Sequence, residues 1–161
     1  MDLPRLYPIL DTESLHGRGV TIETAAAAFL EGDAGILQIR HKGNWNRDVF
    51  ESAKQVARLC REAGAPLIVN DRADFALLLK AGLHVGQDDL APGDARRLLG
   101  PGAMIGFSSH NADQLSAAGG ASARCSPAIA APSAHRPILA GTHGRMVTAP
   151  EDHVRLIDSR R

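Results

Sequence analysis

The sequence predicts an α/β protein, an incomplete (β/α) barrel of the TIM type that ends in an irregular tail. Short apolar runs rich in Ile, Val and Leu alternate with longer helical segments along the 161-residue chain. About five such pairs follow one another, and no glycine-rich dinucleotide turn follows the first strand. This combination favours a barrel over a doubly wound open sheet.

Each predicted strand is apolar on both faces, as expected where helices cover a parallel sheet. The predicted strands are residues 7–10, 35–40, 66–70, 83–86 and 103–108. The predicted helices are residues 21–32, 46–64, 72–82, 91–102 and 111–120. The second helix is the best defined because its apolar residues recur every three or four positions, and Gly64 and Pro66 then end it.

The composition gives no support for nucleic acid or a membrane as partner. The chain has 18 basic and 18 acidic residues, so an anion site would have to be local. The N-terminus lacks a signal-peptide pattern, and no run approaches the roughly 18 apolar residues of a membrane span. Cys60 and Cys125 have no CxxC or CxxH spacing, and Cys60 fits a buried structural thiol. We expect a cytoplasmic protein.

The strand–helix pattern stops near Gly120. Residues 1–119 contain 12 basic and 15 acidic side chains, whereas residues 120–161 contain six basic and three acidic ones and are rich in Ala, Arg, Pro and Ser. We therefore divide the chain into a partial barrel at 1–119 and an irregular or disordered tail at 120–161. The first and fifth strands of such a barrel are open edges, where self-association is expected.

The segment "QIRHK" places Gln38, Arg40 and Lys42 at alternate positions, so these side chains point to one face of a strand. Arg binds phosphate oxygens through its planar fork and Lys through a point charge, which suits a polyanion. The alternative is a solvated strand end.

Two later strands end in polar clusters, "NDR" and "GQDD". Asp71 in the first and Asp89 in the second are candidates to share one Mg²⁺, an ion that prefers one or two carboxylates plus phosphate oxygens. The alternatives are that Asp71 caps the following helix and that the second cluster is a polar turn.

The segment "GFSSH", residues 106–110, follows the fifth predicted strand. Gly and Ser at a helix start offer amides and hydroxyls to an anion, although a simple serine cap is equally compatible with the pattern. His110 is a candidate acid or base. Trp45 either covers a ligand or shields the second helix, and we favour shielding.

The motifs "QIRHK", "VNDR", "LHVGQDD" and "GFSSH", in this order, resemble those of thiamine phosphate synthase, a family of (β/α)8 enzymes, from about Leu6 to Ala118. The resemblance implies a transferase that joins a hydroxymethylpyrimidine diphosphate to a thiazole phosphate and releases pyrophosphate. Its small-molecule partners would be these two substrates, and its cofactor would be Mg²⁺.

The resemblance also implies roles for individual side chains. Gln38 would contact the pyrimidine, and the diphosphate would be held by Arg40, Lys42 and Asn70. Mg²⁺ would be bound by Asp71 and Asp89. Ser108 would donate to the departing phosphates, so that Arg40, Lys42 and Ser108 form the catalytic set.

Two departures from the family pattern affect the expected activity. The turn before "LHVG" is one residue shorter than usual, and the later "GP...T..K" and glycine-rich loops, which hold the thiazole phosphate, have no counterpart. We therefore expect the isolated chain to be a poor synthase. The alternatives are a thiazole tautomerase that uses His110 and a non-catalytic phosphate-binding remnant.

We predict that the tail results from a frameshift, because family-like sequence changes near Gly120 into sequence without apolar periodicity. Translation of another frame beyond the Gly120 codon should restore a strand, a "GP...T..K" loop and later glycine-rich loops. Reading the coding DNA tests this. A lack of such sequence in every frame would contradict the frameshift and favour a genuine truncation.

Overall fold

The computed structural model describes residues 6–108, which form five strands and five helices. The strands are β1 Ile9–Asp11, β2 Leu37–Arg40, β3 Leu67–Asn70, β4 Gly82–Val85 and β5 Ile105–Phe107. The helices are α1 Thr12–His16, α2 Ile22–Glu31, α3 Arg47–Glu62, α4 Ala73–Leu79 and α5 Pro92–Leu99. The predicted helix at 111–120 and the tail lie outside the described residues.

All five strands pair in parallel, and their order in the sheet is their order in the chain. A doubly wound sheet reverses its strand order at a switch point, whereas a barrel adds each new strand on the same side. The prediction of an α/β fold built as an incomplete (β/α) barrel is therefore confirmed for this part of the chain.

The two faces of the sheet differ in chemistry. One face packs with the helices in the hydrophobic core through Leu10, Leu37, Ile39, Leu67, Val69, Leu83, Val85, Ile105 and Phe107. Side chains alternate across a strand, so Gln38, Asn70 and His84 lie on the other face, and all three are buried. Each buried aliphatic side chain contributes about 1.5 to 3 kcal/mol. The apolar face thus stabilises the sheet while the opposite face carries polar groups.

Helix α3 follows the pattern that the sequence predicts. It begins where the Asn46 side chain accepts a hydrogen bond from the Val49 amide at 3.0 Å, and it ends just before Gly64, whose φ is 70°. Its buried stripe includes Val56 and Cys60. Burial raises the pKa of the Cys60 thiol to about 11, which fits an inert structural cysteine.

Trp45 packs at the outer side of the barrel. Its ring stacks on Phe75 of α4 with centroids 4.5 Å apart, and Phe75 in turn lies 5.2 Å from the ring of Phe50 in α3. Trp45 therefore joins the starts of α3 and α4, as the shielding interpretation expects. None of the helices within residues 6–108 is long and apolar enough to cross a membrane.

Helix α1 was not predicted from the sequence. It has five residues, too few for hydrophobic periodicity, and none of them is buried. It begins because the Asp11 carboxylate accepts a hydrogen bond from the Ser14 amide at 2.9 Å. The position of α1 is thus fixed by a residue at the end of β1.

We predict that Gly82→Ala lowers the free energy of unfolding by about 1 to 3 kcal/mol, the usual effect of overpacking a core. A Cβ at residue 82 would lie 2.5 Å from Cδ1 of Ile68 and 2.8 Å from the carbonyl oxygen of Met104. Urea denaturation measures the change. Gly102→Ala is the matched control because a Cβ there meets no atom within 4 Å. Equal stability of the two variants would contradict the prediction.

Candidate active site

The carboxyl ends of the parallel strands form one edge, and their register aligns polar side chains there. Asp11 is opposite Arg40, Asn70 is opposite His84, and His84 is opposite Gly106. Residues in register on neighbouring parallel strands point to the same face, so these positions form one row across the sheet. The candidate site is built on this row and on the loops that follow it.

Arg40 is held at this edge by Asp11. Its Nη1 donates to Oδ2 of Asp11, and the Arg40 side chain remains 26% exposed. Burial alone would raise the pKa of Asp11, but hydrogen bonds from Ser14 and the charge of Arg40 outweigh burial and lower that pKa. Asp11 is therefore a carboxylate at neutral pH. Sequence reasoning missed this residue, although its place at the end of the first strand was available as a signal.

Lys42 lies in the loop after β2 and forms an ion pair with Asp71, which follows β3. Its side chain is 50% exposed. Arg40 and Lys42 thus each contact a carboxylate that ends or follows a neighbouring strand, which a freely solvated strand end would not require. The positions of Gln38, Arg40 and Lys42 as diphosphate and pyrimidine contacts stay predictions.

Asp71 does not cap the following helix. The N-cap residue of α4 is Arg72, and no side chain makes a capping hydrogen bond there. Asp71 instead adopts a left-handed backbone with φ of 64°, and its amide donates to the carbonyl of His84 at 2.8 Å. The capping alternative for Asp71 is therefore wrong. Its carboxylate pairs with Lys42 and makes no hydrogen bond to the start of α4.

Asp71 and Asp89 bring two carboxylates together. Burial raises the pKa of Asp71, the contact with Asp89 raises it further, and Lys42 opposes both effects. Asp89 is itself fixed because its Oδ2 accepts a hydrogen bond from the Gly86 amide at 2.7 Å. Two neighbouring carboxylates repel each other unless a proton or a cation lies between them. This donor set fits Mg²⁺, which takes oxygen ligands from one or two carboxylates and completes its shell with water or phosphate.

No group of three or more His, Cys, Asp or Glu side chains within residues 6–108 is arranged to hold a metal ion. An ion bound by Asp71 and Asp89 would thus depend on water or substrate oxygens for its remaining ligands. The assignment of these two residues to Mg²⁺ stays a prediction.

Gln38 lies deep on the polar face. It is only 2% exposed, and its Nε2 donates to the hydroxyl of Tyr7 at 2.8 Å. Burial raises the pKa of Tyr7 well above its ordinary value, so the phenol stays neutral and can hydrogen-bond to the amide. The sequence analysis did not single out Tyr7. Its hydroxyl satisfies the buried amide of Gln38 on the polar face of the sheet.

Ser108, which follows β5, is joined to His84 of β4. The Oγ of Ser108 lies 2.8 Å from Nε2 of His84, and the two share a hydrogen bond. Gly106 permits this approach because a Cβ there would lie 2.5 Å from Nδ1 of His84. His84 was not predicted as a site residue, because within "LHVG" it lies in an apolar strand. His110 lies outside the described residues, so its candidate role stays a prediction.

We predict that Asp71→Asn stabilises the metal-free protein at pH 7 by up to about 1 kcal/mol, as often occurs when a functional charge is removed. The raised pKa means that the stability contributed by Asp71 is present at low pH and is lost as pH rises through the folded-state pKa. Asn removes this loss and also tolerates the left-handed backbone.

Urea denaturation in EDTA at pH 4 and pH 7 tests this prediction. The gain from Asp71→Asn should be larger at pH 7. A variant that is less stable than the native chain at pH 7 would show that the Lys42 ion pair outweighs the carboxylate repulsion. Asp74→Asn is a suitable control, because the hydrogen bond from Arg72 lowers the pKa of Asp74 by more than burial raises it.

Comparisons with known proteins agree with the family resemblance and with the fold. The family model described as thiamine monophosphate synthase matches residues 6–129. A thiamine-phosphate synthase of Solidesulfovibrio magneticus is 40% identical over 118 residues, which cover 73% of this chain and 55% of that protein. A probable thiamine biosynthetic bifunctional enzyme of rice, Oryza sativa, is 42% identical over 104 residues, or 64% of this chain and 19% of that enzyme.

A solved structure gives the same result. The thiamine phosphate pyrophosphorylase of Pyrococcus furiosus superposes with a TM-score of 0.63 and 29% identity, covering 73% of this chain and 55% of that one. The chain thus spans about half the length of this structure and of the Solidesulfovibrio magneticus synthase. The division at residue 119 stays a prediction, since the family match continues to residue 129. Because the family model covers residues 6–129 and the sequential parallel sheet agrees with it, this chain belongs to the thiamine monophosphate synthase family.

Proposed function

We propose that this chain forms the pyrimidine diphosphate side of a Mg²⁺-dependent thiamine phosphate synthase. The reaction joins hydroxymethylpyrimidine diphosphate to thiazole phosphate and releases pyrophosphate. The observation that carries the proposal is that Arg40 and Lys42 lie with Asp71 and Asp89 at the carboxyl ends of the strands. The names of the relatives support the same chemistry.

The cations of this edge suit a diphosphate. Arg40 presents a planar fork and Lys42 a point charge, while the Asn70 amide at the end of β3 adds neutral donors. Charge-assisted hydrogen bonds to phosphate oxygens are about twice as strong as neutral ones. These three residues would bind and orient the diphosphate.

Asp71 and Asp89 are the residues that would hold Mg²⁺. When bound, the ion supplies positive charge that offsets the charge of the pyrophosphate. Lys42 contacts Asp71 directly, so this cation lies beside the carboxylates as well as beside the expected diphosphate. Arg40, Lys42 and the bound ion would together supply the positive charge that the leaving group requires.

The proposed reaction needs no protein nucleophile. The bond between the methylene carbon and the diphosphate oxygen breaks, and its electron pair leaves with pyrophosphate. The thiazole nitrogen then donates its lone pair to the methylene carbon and forms the new C–N bond. Arg40, Lys42 and Ser108 would stabilise the growing charge on the leaving group, which is an electrostatic form of catalysis. Gln38 would orient the pyrimidine ring from the base of the site.

The later phosphate loops are needed for the thiazole substrate in this proposal. The sequence printed here has no counterpart of those loops. We therefore expect the purified chain to bind pyrophosphate but to turn over the two substrates poorly. Cytoplasmic location and self-association through strand edges also stay predictions.

We predict that Arg40→Ala weakens the binding of Mg²⁺-pyrophosphate by about 1.5 to 3 kcal/mol, the range for hydrogen bonds to charged groups. Calorimetric titration of the full chain with pyrophosphate in Mg²⁺ measures the change. Arg58→Ala is the matched control, since Arg58 pairs with Glu62 on the exposed side of α3. Equal affinities of the native chain and Arg40→Ala would contradict the assignment of Arg40.

A turnover assay with both substrates, with and without Mg²⁺, separates enzyme from binding remnant. We expect poor synthase turnover, with slow Mg²⁺-dependent hydrolysis of the pyrimidine diphosphate at most. Pyrophosphate binding without any release of pyrophosphate would favour a non-catalytic remnant. Normal synthase turnover would show that the tail or a second subunit supplies the thiazole phosphate site.

A further inference from the structure

We propose that Asp11 is a positioning residue that orients the Arg40 guanidinium toward the bound diphosphate. The inference rests on the proposed function, because it assumes that Arg40 binds the diphosphate. Asp11 itself would touch no substrate and would act only through Arg40.

The Asp11 carboxylate is divided between two partners. Its Oδ1 accepts a hydrogen bond from the Ser14 amide at 2.9 Å, and its Oδ2 accepts one from Nη1 of Arg40. The first contact fixes the carboxylate at the start of α1. The oxygen that accepts from Arg40 is therefore already held in place. The side chain of Asp11 is 14% exposed, which limits competition from water.

A second contact ties the same two segments together. The hydroxyl of Thr12 lies 2.7 Å from Nδ1 of His41, and the two share a hydrogen bond. Asp11 and the residue after it therefore hold Arg40 and the residue after it, in the register Asp11 to Arg40. This double attachment restricts the backbone and the side chain of Arg40 at once.

The contact leaves Arg40 able to bind an anion. A guanidinium has five N–H donors, and the Asp11 contact engages Nη1, so further donors remain for phosphate oxygens. A fork held on one side loses less rotational freedom when it binds than a fully mobile one. Positioning by Asp11 would therefore strengthen diphosphate binding.

Charge alone predicts the opposite effect. Asp11 is a carboxylate near an expected diphosphate, and like charges repel. If Asp11 acted only through its charge, its removal would tighten anion binding. The sign of the change therefore distinguishes positioning from simple charge neutralisation of Arg40.

The test is Asp11→Asn in the full chain, because Asn keeps an oxygen that can accept from the Ser14 amide. We predict that this variant binds Mg²⁺-pyrophosphate about threefold to tenfold more weakly in calorimetry, within the range of coupling between contacting residues. In the Arg40→Ala background, Asp11→Asn should cause no further loss. Thr21→Ala is the control for loss of a helix cap alone. The Thr21 hydroxyl caps α2 by accepting a hydrogen bond from the Thr24 amide at 3.2 Å.

Three results would overturn the inference. Equal or tighter binding by Asp11→Asn contradicts positioning, and so does an additional loss in the Arg40→Ala background. A matching loss in Thr21→Ala would assign the effect to helix capping. If Asp11→Asn does not fold, Asp11→Ser replaces it, since Ser also caps a helix but is too short to reach Arg40.

Failure of the proposed function gives a different pattern. A native chain that does not bind Mg²⁺-pyrophosphate, or whose affinity is unchanged in Arg40→Ala, contradicts the proposed function and removes the inference with it. If Arg40→Ala weakens binding and Asp11→Asn does not, the proposed function stands and only the role of Asp11 is overturned.

Discussion

The parallel register of β1 to β5 is the constraint on which the candidate site depends. It brings Asp11 beside Arg40 and Asn70 beside His84, although these residues are far apart in sequence. The register is held because the opposite face of each strand is buried against helices, and a slip of one residue would move apolar side chains onto the polar face. Core packing and site geometry are thus set by the same backbone pairing.

Opposite charges then organise the edge that the register creates. Arg40 is paired with Asp11 and Lys42 with Asp71, so each cation at the carboxyl end of β2 contacts a carboxylate that ends or follows a neighbouring strand. The two pairs differ in their surroundings. Asp11 is also fixed by α1, whereas Asp71 faces Asp89, another carboxylate. The first arrangement suits a permanent support, and the second leaves excess negative charge that suits a cation.

The sequence predicted the fold because strand and helix periodicities are local and the βα units repeat in order. It also predicted that Asp71 and Asp89 follow neighbouring strands. The sequence analysis did not identify Asp11, Tyr7 or His84 as parts of the site, since their contacts to Arg40, Gln38 and Ser108 join segments that are distant in the sequence. Helix α1 escaped prediction because one capping hydrogen bond, rather than an apolar stripe, defines it.

The backbone at Asp71 shows how local stability is traded for site geometry. A non-glycine residue in the left-handed region costs on the order of 1 kcal/mol, and α4 begins without a side-chain cap, which forgoes about another 1 kcal/mol. The hydrogen bond from the Asp71 amide to His84 holds this conformation, so β4 supports it directly. If this residue served only to end β3, an ordinary helix cap at its position would make the protein more stable. The observed conformation instead directs a carboxylate at Lys42 and Asp89, and this is the arrangement that the proposed Mg²⁺-bound diphosphate would require.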